Sequence, residues 1–157
     1  MSIQRLKKEI DLIQRIPPHN IAAWPKDDSL YNIHATLQGP KGTPYSDGEF
    51  RLELTFPTNY PISPPTAQFI TPIFHPNVDP FGKICLDLLS LPPNGQWSPA
   101  QTLTSVLVAI RELLVHPNAD DPVIPEIAVQ YKLDYYTFER RAKQYTQLHA
   151  IPAAPPQ

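Results

Sequence analysis

The sequence predicts an α+β fold in which an N-terminal helix precedes an antiparallel meander sheet of about four strands and three further helices. Two observations support this prediction. Stretches of alternating apolar residues are confined to the first half of the chain, and apolar residues at helical spacing lie at its start and in its second half. Segregated strands and helices are typical of α+β folds. The 157 residues suit one core domain at 1–150, followed by a short disordered tail at 151–157.

The first helix is expected at residues 2–16 and ends at the proline pair 17–18. Arg5, Lys8 and Arg15 lie on one side of it, which by pattern alone is a solvated basic face. The apolar stripe that faces the core recurs at helical spacing and consists of Ile3, Leu6, Ile10 and Ile13.

Three strands are located by the period-two alternation of apolar residues. They cover residues 31–37, 49–56 and 66–71, and their short connections favour an antiparallel meander. Residues 71–98 then look mostly irregular, but their many prolines indicate an ordered segment. The side chains expected to face the core are Tyr31, Ile33, Ala35, Leu37, Phe50, Leu52, Leu54 and Phe56.

Three helices are predicted in the last third of the chain. Ser98 as N-cap and Pro99 at the first helical position would start the first of them, which ends at His116. A short helix is expected at about 122–131, and Asp134 caps the last one. The apolar residues that line the first and last of these helices are Leu103, Val106, Leu107, Ile110, Leu113, Leu114, Phe138, Ala142, Tyr145 and Leu148.

The composition argues against several classes of protein. The formal net charge is −2 without any block of like charge, which argues against a general nucleic-acid role. The chain has no apolar run of about 18 residues, so no membrane span is predicted. One cysteine permits no internal disulfide framework and fits a reducing compartment, so we expect a cytoplasmic or nuclear protein.

Cys85 follows the triplet His75, Pro76 and Asn77 in the stretch FHPNVDPFGKICLDLL. A lone cysteine is more often a small buried apolar residue than a catalyst. A thiol nucleophile needs access to solvent and a nearby group that stabilises charge. The amide of Asn77 can donate hydrogen bonds to an oxyanion, and Gly82 permits a tight turn that brings Asn77 back beside the sulfur.

A Cys–His hydrolase is a competing interpretation, since His75, His34 and His116 are available as bases. However, neither a papain-type nor a caspase-type signature surrounds Cys85, and His75 is too close in sequence to specify a triad. One cysteine with scattered histidines also forms no set of metal ligands, so no metal site is predicted.

The string FHPN, followed after seven residues by CLDLL, resembles the active-site signature of ubiquitin-conjugating enzymes. The stretch GPKGTPYSDGEFRLELTFPTNYPISPP resembles the central hairpin and proline-rich loop of that family. QWSPAQTLTSVLVAIRELLVHPNADDP is similar to its crossover helix and acidic loop. The resemblance covers residues 2–150, with the blocks in the family's order.

The resemblance implies that Cys85 accepts ubiquitin from an activating enzyme as a thioester. With a RING-type ligase it then transfers ubiquitin to a lysine of a protein substrate. Asn77 takes the position credited with stabilising the oxyanion or ordering the loop around it. His75 and Pro76 are structural at the site. The chain is expected to act as a monomer without a tightly bound cofactor, because the activating enzyme uses the ATP.

Two aspartates are candidates for orienting the attacking lysine, whose free pKa is about 10.4 although only the neutral amine reacts. Asp121 matches the family's acidic residue near the active site, and Asp87 lies close to Cys85 in sequence. By pattern alone, both are turn or capping residues. With the cysteine and the asparagine, the predicted catalytic set is Cys85, Asn77, Asp121 and Asp87.

The resemblance also assigns two protein-binding surfaces. One binds the ligase and the activating enzyme, and Ile62 stands there where the family often has phenylalanine. The other, at Val108, docks the donor ubiquitin. The residues of the first surface are Arg5, Lys8, Ile62, Ser98, Pro99 and Ala100.

The segment SLPPNGQW at 90–97 is longer than in the commonest members of the family. It resembles the branch associated with Fanconi-type DNA repair monoubiquitylation, whereas the rest of the chain also resembles general chain-building members. Two alternatives remain within the fold. One is conjugation of another modifier, such as SUMO or NEDD8, and the other is a non-catalytic ubiquitin-binding variant, against which Cys85 argues.

Overall fold

The computed structural model describes residues 2–153, so the predicted disordered tail lies largely outside the described residues and stays a prediction. The predicted order of one helix, a sheet and three helices is confirmed. A short 3₁₀ helix, Asp87–Leu89, lies in the long segment between sheet and helices. The remaining elements are α1 (Ser2–Arg15), β1 (Ile21–Lys26), β2 (Ser29–Gln38), β3 (Glu49–Thr55), β4 (Thr66–Phe69), α2 (Leu103–Val115), α3 (Pro125–Leu133) and α4 (Tyr135–His149).

The sheet is a four-stranded antiparallel meander in the order β1-β2-β3-β4. Its first strand, β1, was not predicted from the sequence, although its alternate residues Ile21 and Ala23 are buried. Pro25 lies in this strand and has no N–H to donate. An edge strand tolerates proline because its open side has no neighbouring strand that would need this hydrogen bond. The other edge strand, β4, leads directly into the segment that carries Cys85.

Helix α1 packs against β1, β2 and α2 through one buried stripe. Leu6, Ile10 and Ile13 are buried as predicted, and Ile3 is half-buried at the end of the stripe. Burial of each such side chain contributes about 1.5–3 kcal/mol. The helix is thereby fixed against the sheet.

The predicted start of the long helix was wrong. Helix α2 begins at Leu103, and its N-cap is Thr102, which has extended backbone and accepts a hydrogen bond from the Ser105 N–H. The Ser105 hydroxyl accepts a hydrogen bond from the Thr102 N–H at 2.8 Å. The helix therefore starts at this reciprocal capping box and not at the earlier Ser-Pro pair. Residues 98–101 therefore form a surface turn, while the predicted apolar face of α2 is fully buried.

Helices α3 and α4 begin close to where they were expected. Pro125 takes the first turn of α3, and Asp134 caps α4 by accepting a hydrogen bond from the Thr137 N–H. The inner face of α4 was predicted wrongly at its end, because Tyr145 is 36% and Leu148 67% exposed. The buried stripe instead has strict spacing of four, at Phe138, Ala142 and Thr146.

Glu9 of α1 ties three separate parts of the chain together. Its Oε1 accepts hydrogen bonds from the Tyr60 hydroxyl and the Leu103 N–H, both at 2.7 Å. Its Oε2 accepts one from Arg5 Nε at 2.7 Å. The carboxylate thus joins α1 to the proline-rich loop and to the first turn of α2, where a negative charge also interacts favourably with the helix dipole.

Replacing Glu9 with alanine is expected to lower the free energy of unfolding by about 2–4 kcal/mol, because three donors lose a charged acceptor. Urea denaturation measures this. The matched control is Asp11→Ala, whose carboxylate only pairs with the exposed Arg15 and should change stability by about 0.5 kcal/mol or less. Equal effects of the two substitutions would contradict the structural role given to Glu9.

Candidate active site

A tight turn brings Cys85 beside Asn77. The Cys85 N–H donates to the Asn77 carbonyl oxygen at 2.9 Å, and Val78 pairs with Ile84 in an antiparallel bridge. Gly82 has φ of +89°, and a Cβ there would lie 2.0 Å from a carbonyl oxygen of β4. The predicted turn at Gly82 is therefore confirmed, and only glycine fits it.

Asp79 holds this turn closed, and its role was missed in the sequence. Its Oδ1 accepts hydrogen bonds from the N–H groups of Phe81 and Lys83, both at 2.9 Å. A signal was present, since aspartate at the start of a DPFG stretch is typical of turns in which the side chain binds the following backbone. Asp79 therefore serves the conformation of the turn.

The Cys85 side chain is half-buried in a groove with a volume of about 530 Å³. Burial raises the pKa of the Cys85 thiol, and the charges of Asp121 and Asp87 raise it further, while Lys83 opposes them. The residues that line the groove are Pro65, Thr66, Ala67, Asp79, Lys83, Ile84, Cys85, Leu86, Asp87, Leu89, Ser90 and Val123.

The raised pKa of Cys85 indicates what its sulfur can do. A free thiol in this setting stays protonated near neutral pH, unlike the low-pKa cysteines of hydrolases. A thiolate of higher pKa is also a poorer leaving group, so an acyl group on Cys85 leaves less readily. These properties suit a sulfur that carries an acyl group until an acceptor arrives.

His75 is fully buried behind the site and both of its ring nitrogens are used. Nδ1 accepts a hydrogen bond from the Asn77 N–H at 3.0 Å, so Nε2 carries the proton and donates to the Leu113 carbonyl at 2.9 Å. Burial lowers the pKa of His75 to about 4. This neutral ring joins the active-site segment to α2 and is not placed to act as a base, which weighs against the Cys–His hydrolase.

The buried His75 predicts how stability depends on pH. Unfolding lets the ring take up a proton with its ordinary pKa of 6.5, whereas the folded protein does so only at about 4. Stability is therefore lost as the pH falls through this window. In His75→Gln, which keeps a donor and an acceptor without titrating, the loss between pH 7 and about pH 4.5 should be smaller by about 2 kcal/mol.

Urea unfolding of both proteins at the two pH values measures this difference. An NMR titration of the unmodified protein provides a second test that does not depend on the folding of the variant. The ring signals of His75 should stay constant from neutral pH to about pH 5. A midpoint near that of an ordinary histidine, or the same pH dependence in both proteins, would contradict the prediction.

The side chain of Asn77 organises the loop at 117–122. Its Nδ2 donates to the carbonyl oxygens of Asn118 at 2.8 Å and Asp121 at 3.3 Å, and its Oδ1 accepts from the Asn118 N–H at 2.8 Å. Beside it, the Pro76 carbonyl accepts from the N–H groups of Val123 and Ile124. Both hydrogens of the Asn77 amide are thus directed at the loop, and its role toward an oxyanion stays a prediction.

The two aspartates lie on different segments near the sulfur. Asp121 is exposed on the loop that Asn77 holds, and Asp87 lines the groove at the start of the 3₁₀ helix. Both are near enough for their charges to act on Cys85. Their roles toward an attacking lysine stay predictions.

The segment at 90–97 folds back onto the 3₁₀ helix beside Cys85. Its Gln96 N–H donates to the Asp87 carbonyl at 2.8 Å, and the Trp97 N–H donates to the Ser90 carbonyl at 2.9 Å. The buried Trp97 also donates through Nε1 to the Pro61 carbonyl at 2.9 Å. The inserted residues therefore connect the groove to the proline-rich loop.

The predicted ligase surface is assembled in one place. Arg5 donates to the Gln101 carbonyl at 2.6 Å, which joins α1 to the turn at 98–101, and Trp97 joins that turn to the loop that carries Ile62. Ile62 is 65% exposed, and Val108 on the outer face of α2 is 45% exposed. The other exposed residues of the predicted ligase surface are Lys8, Pro99 and Ala100, with Ser98 half-buried. Val108 belongs to the separate surface predicted for donor ubiquitin.

Among residues 2–153, no three or more His, Cys, Asp or Glu side chains are grouped so that they could hold a metal ion. Within the same residues, none of the helices has the length and apolar character needed to cross a membrane.

Comparison with known proteins identifies the family. The family model described as ubiquitin-conjugating enzyme matches residues 5–146. The chain is 41% identical over 151 residues to ubiquitin-conjugating enzyme E2 T of Xenopus laevis, covering 96% of this chain and 79% of that protein. It is 42% identical to the E2 T of Mus musculus and 41% to that of Homo sapiens, each over 93% of this chain and 72% and 74% of those proteins, respectively. The chain therefore belongs to the ubiquitin-conjugating enzyme family.

Proposed function

We propose that Cys85 carries ubiquitin as a thioester between the activating enzyme and a substrate lysine. The observation that carries this proposal is the placement of the only cysteine, half-buried in an open groove, directly beside the loop that Asn77 holds. A carrier sulfur must be reachable by two large partners in turn, and a groove on the surface allows this. A hydrolase would need a base in contact with the sulfur, and the groove-lining residues include no histidine.

The transfer proceeds in two acyl exchanges. The Cys85 sulfur attacks the thioester carbonyl carbon that joins ubiquitin to the activating enzyme, which leaves as a thiol. A neutral lysine amine then attacks the new thioester, the C–N bond forms, and the C–S bond breaks. The nitrogen loses a proton, and Cys85 regains its thiol. ATP is consumed upstream by the activating enzyme, so this chain needs no bound cofactor for either exchange.

Asp121 and Asp87 are proposed to orient the incoming lysine. The ammonium form of the substrate lysine is attracted to both carboxylates. When the substrate docks and water is removed, the neutral form of the lysine amine is favoured. Asp121 is placed by the bond between its own carbonyl and Asn77, so the asparagine and this aspartate act through one loop. Asn77 is proposed to act first by fixing the loop. Any contact of its amide with the oxyanion would require one of its present bonds to open.

The surface around Ile62 is proposed to bind a RING-type ligase and the activating enzyme. The exposed apolar side chain of Ile62 lies on a loop that Trp97 joins to the turn carrying the exposed Pro99 and Ala100, which suits a small, transient interface. Because Arg5 is held by Glu9 and Gln101, it contributes to this surface from a fixed position. Val108 is proposed to dock the donor ubiquitin, and the chain is proposed to act as a monomer.

The inserted segment at 90–97 supports a narrower proposal, that the chain acts in the Fanconi-type DNA repair branch of the family. The segment contacts both the groove, through Asp87, and the proline-rich loop, through Trp97. Such a position can influence both the substrate and the ligase. A nuclear or cytoplasmic location is proposed with it, since a single cysteine suits a reducing compartment.

A charging assay with a panel of modifiers tests the proposal. The protein is incubated with ATP and the activating enzyme for ubiquitin, SUMO or NEDD8, each with its own modifier. We expect an adduct with ubiquitin that thiol reductants remove. A preference for SUMO or NEDD8 would replace the modifier in this proposal, and the lack of an adduct with every modifier would leave only a binding function.

A further inference from the structure

Phe81 is a large apolar side chain that stands in solvent close to the reactive cysteine. It is 82% exposed, and among the large apolar side chains of residues 2–153 only Leu133 is exposed to the same degree. Single exposed apolar residues are common on protein surfaces and need no explanation by themselves. Phe81 differs from them in the rigidity of its backbone and in its position on a groove that adjoins the groove of Cys85.

The backbone of Phe81 is fixed on both sides. Its N–H donates to Asp79 Oδ1 at 2.9 Å, and its carbonyl accepts a hydrogen bond from Gln68 Nε2 at 2.7 Å. Pro80 restricts the preceding backbone, and the Gly82 carbonyl accepts a hydrogen bond from the last residue of β4 at 2.8 Å. An aromatic ring on such a backbone loses little conformational entropy when a partner covers it, which is the property of a binding anchor.

A second groove, with a volume of about 420 Å³, begins at Phe81 and is also lined by Lys83 and by residues of β3 and β4. This Phe81 groove shares Thr66, Ala67 and Lys83 with the groove of Cys85, so the two grooves adjoin. A protein segment that brings a lysine to the sulfur can therefore continue into the Phe81 groove without leaving the surface.

The distance and the charges along this path fit a short extended segment. Phe81 precedes Cys85 by four residues, which span at most about 14 Å, and an extended substrate covers that distance in about four residues. Lys83 is exposed between the two ends, so it repels a basic side chain there and accepts an uncharged or acidic one. The Glu53 carboxylate of the Phe81 groove is already paired with Lys26 at 2.7 Å.

We infer that Phe81 anchors the protein segment that supplies the attacking lysine, so that the enzyme prefers a lysine with an apolar side chain within about four residues of it. This inference rests on the proposed thioester at Cys85 and names the class of substrate that the same site prefers. The lysine amine enters the groove of Cys85 while the apolar side chain packs on the Phe81 ring. This contact lies away from the reacting atoms, so it lowers the substrate concentration needed for half-maximal transfer.

Peptides with a single lysine test the preference. Each has either leucine or serine at the second, third or fourth position on one side of the lysine, and transfer from charged enzyme is followed at increasing peptide concentration without a ligase. For at least one position we expect leucine to lower the half-saturating concentration about 10-fold, because one apolar side chain is buried. Phe81→Ser should abolish this difference, and Phe81→Leu, which keeps an apolar side chain, should retain most of it.

The matched control is Leu133→Ser, which removes an equally exposed apolar side chain at the end of α3 and should keep the preference for leucine. The same preference in Phe81→Ser, or equal half-saturating concentrations for all peptides in the unmodified protein, would overturn the inference. Transfer to free lysine that slows by the same factor in Phe81→Ser would also overturn it, because the residue would then act on the turn and not on the substrate.

A binding measurement does not depend on the thioester. In the uncharged protein, the NMR signals of the Phe81 ring should shift with the preferred leucine peptide and stay constant with its serine counterpart. Constant signals with both peptides would contradict the anchor. Failure of the unmodified protein to charge would instead contradict the proposed function, so the two failures are distinguishable.

Discussion

Cys85→Ser is expected to convert the reductant-sensitive ubiquitin adduct into an ester that thiol reductants leave intact and strong base cleaves. Cys85→Ala is expected to form no adduct. The reason is chemical, since a serine hydroxyl can form an oxygen ester at the same place, while a methyl group offers no nucleophile. Gel electrophoresis after charging, with and without reductant, measures both outcomes.

The matched control is Ser90→Ala, which changes another residue of the same groove and should charge normally. Because Cys85 is only half-buried, both substitutions at this position should leave the protein folded, and circular dichroism checks this. A reducible adduct on Cys85→Ala would place the thioester elsewhere and contradict the mechanism.

The features that were predicted correctly depend on residues close together in sequence. The turn between Asn77 and Cys85 contains seven residues, among them a glycine whose backbone conformation no other residue fits. Strand β3 alternates strictly, and β2 alternates from Ile33 to Leu37, so these buried faces could be assigned directly, whereas Tyr31, also predicted to face the core, is only half-buried. Strand β1 has a weaker signal because Ala22 and Ala23 have low strand propensity and Pro25 disrupts the pattern.

Where two local signals competed, the sequence could not decide between them. Ser98 followed by proline and Thr102 followed by Ser105 both describe helix starts, and only the second forms the reciprocal capping box. The choice depends on contacts made across the fold, since Glu9 accepts the Leu103 N–H that the helix leaves unpaired. Those partners lie 94 residues apart, which no local pattern reveals.

The same limit applies to the active site. Its cysteine, histidine and asparagine could be named from one short stretch, but the partners of Asn77 lie on a loop 41 and 44 residues away. The sequence therefore suggested an amide directed at the sulfur. The structure instead directs that amide at the carbonyl oxygens of Asn118 and Asp121. This difference changes which experiment separates the possible roles of Asn77.

The loop, α1 and the groove are held by a small number of polar side chains that are also buried or half-buried. His75 joins the cysteine segment to α2, and Glu9 joins α2 to α1 and the proline-rich loop. The site is thus built on rigid elements, while Cys85 and Asp121 remain open to partners. A carrier enzyme needs this combination, because it presents one thioester to several proteins without rearranging.

Replacing Asn77 with alanine is expected to slow transfer of ubiquitin to free lysine by about 100-fold, the magnitude that a small misplacement of the groups positioned by the loop can cause. It should also lower the free energy of unfolding by about 2 kcal/mol, because buried backbone groups lose their partners. Asn118→Ala is the matched control. Its backbone makes the bonds to Asn77, so the loop should stay ordered and transfer should be nearly unchanged.

A double-mutant cycle with Asp121→Ala separates the two roles of Asn77. If Asn77 acts by holding the loop, it acts through Asp121, and the double variant should be no slower than Asn77→Ala alone. If its amide instead contacts the oxyanion directly, the two losses are independent and should multiply. Both hydrogens of the amide are directed at the loop carbonyls, so we expect the first result. Multiplying effects, with the Val123 N–H that donates to the Pro76 carbonyl still protected from hydrogen exchange in Asn77→Ala, would show that loop order is not how Asn77 acts.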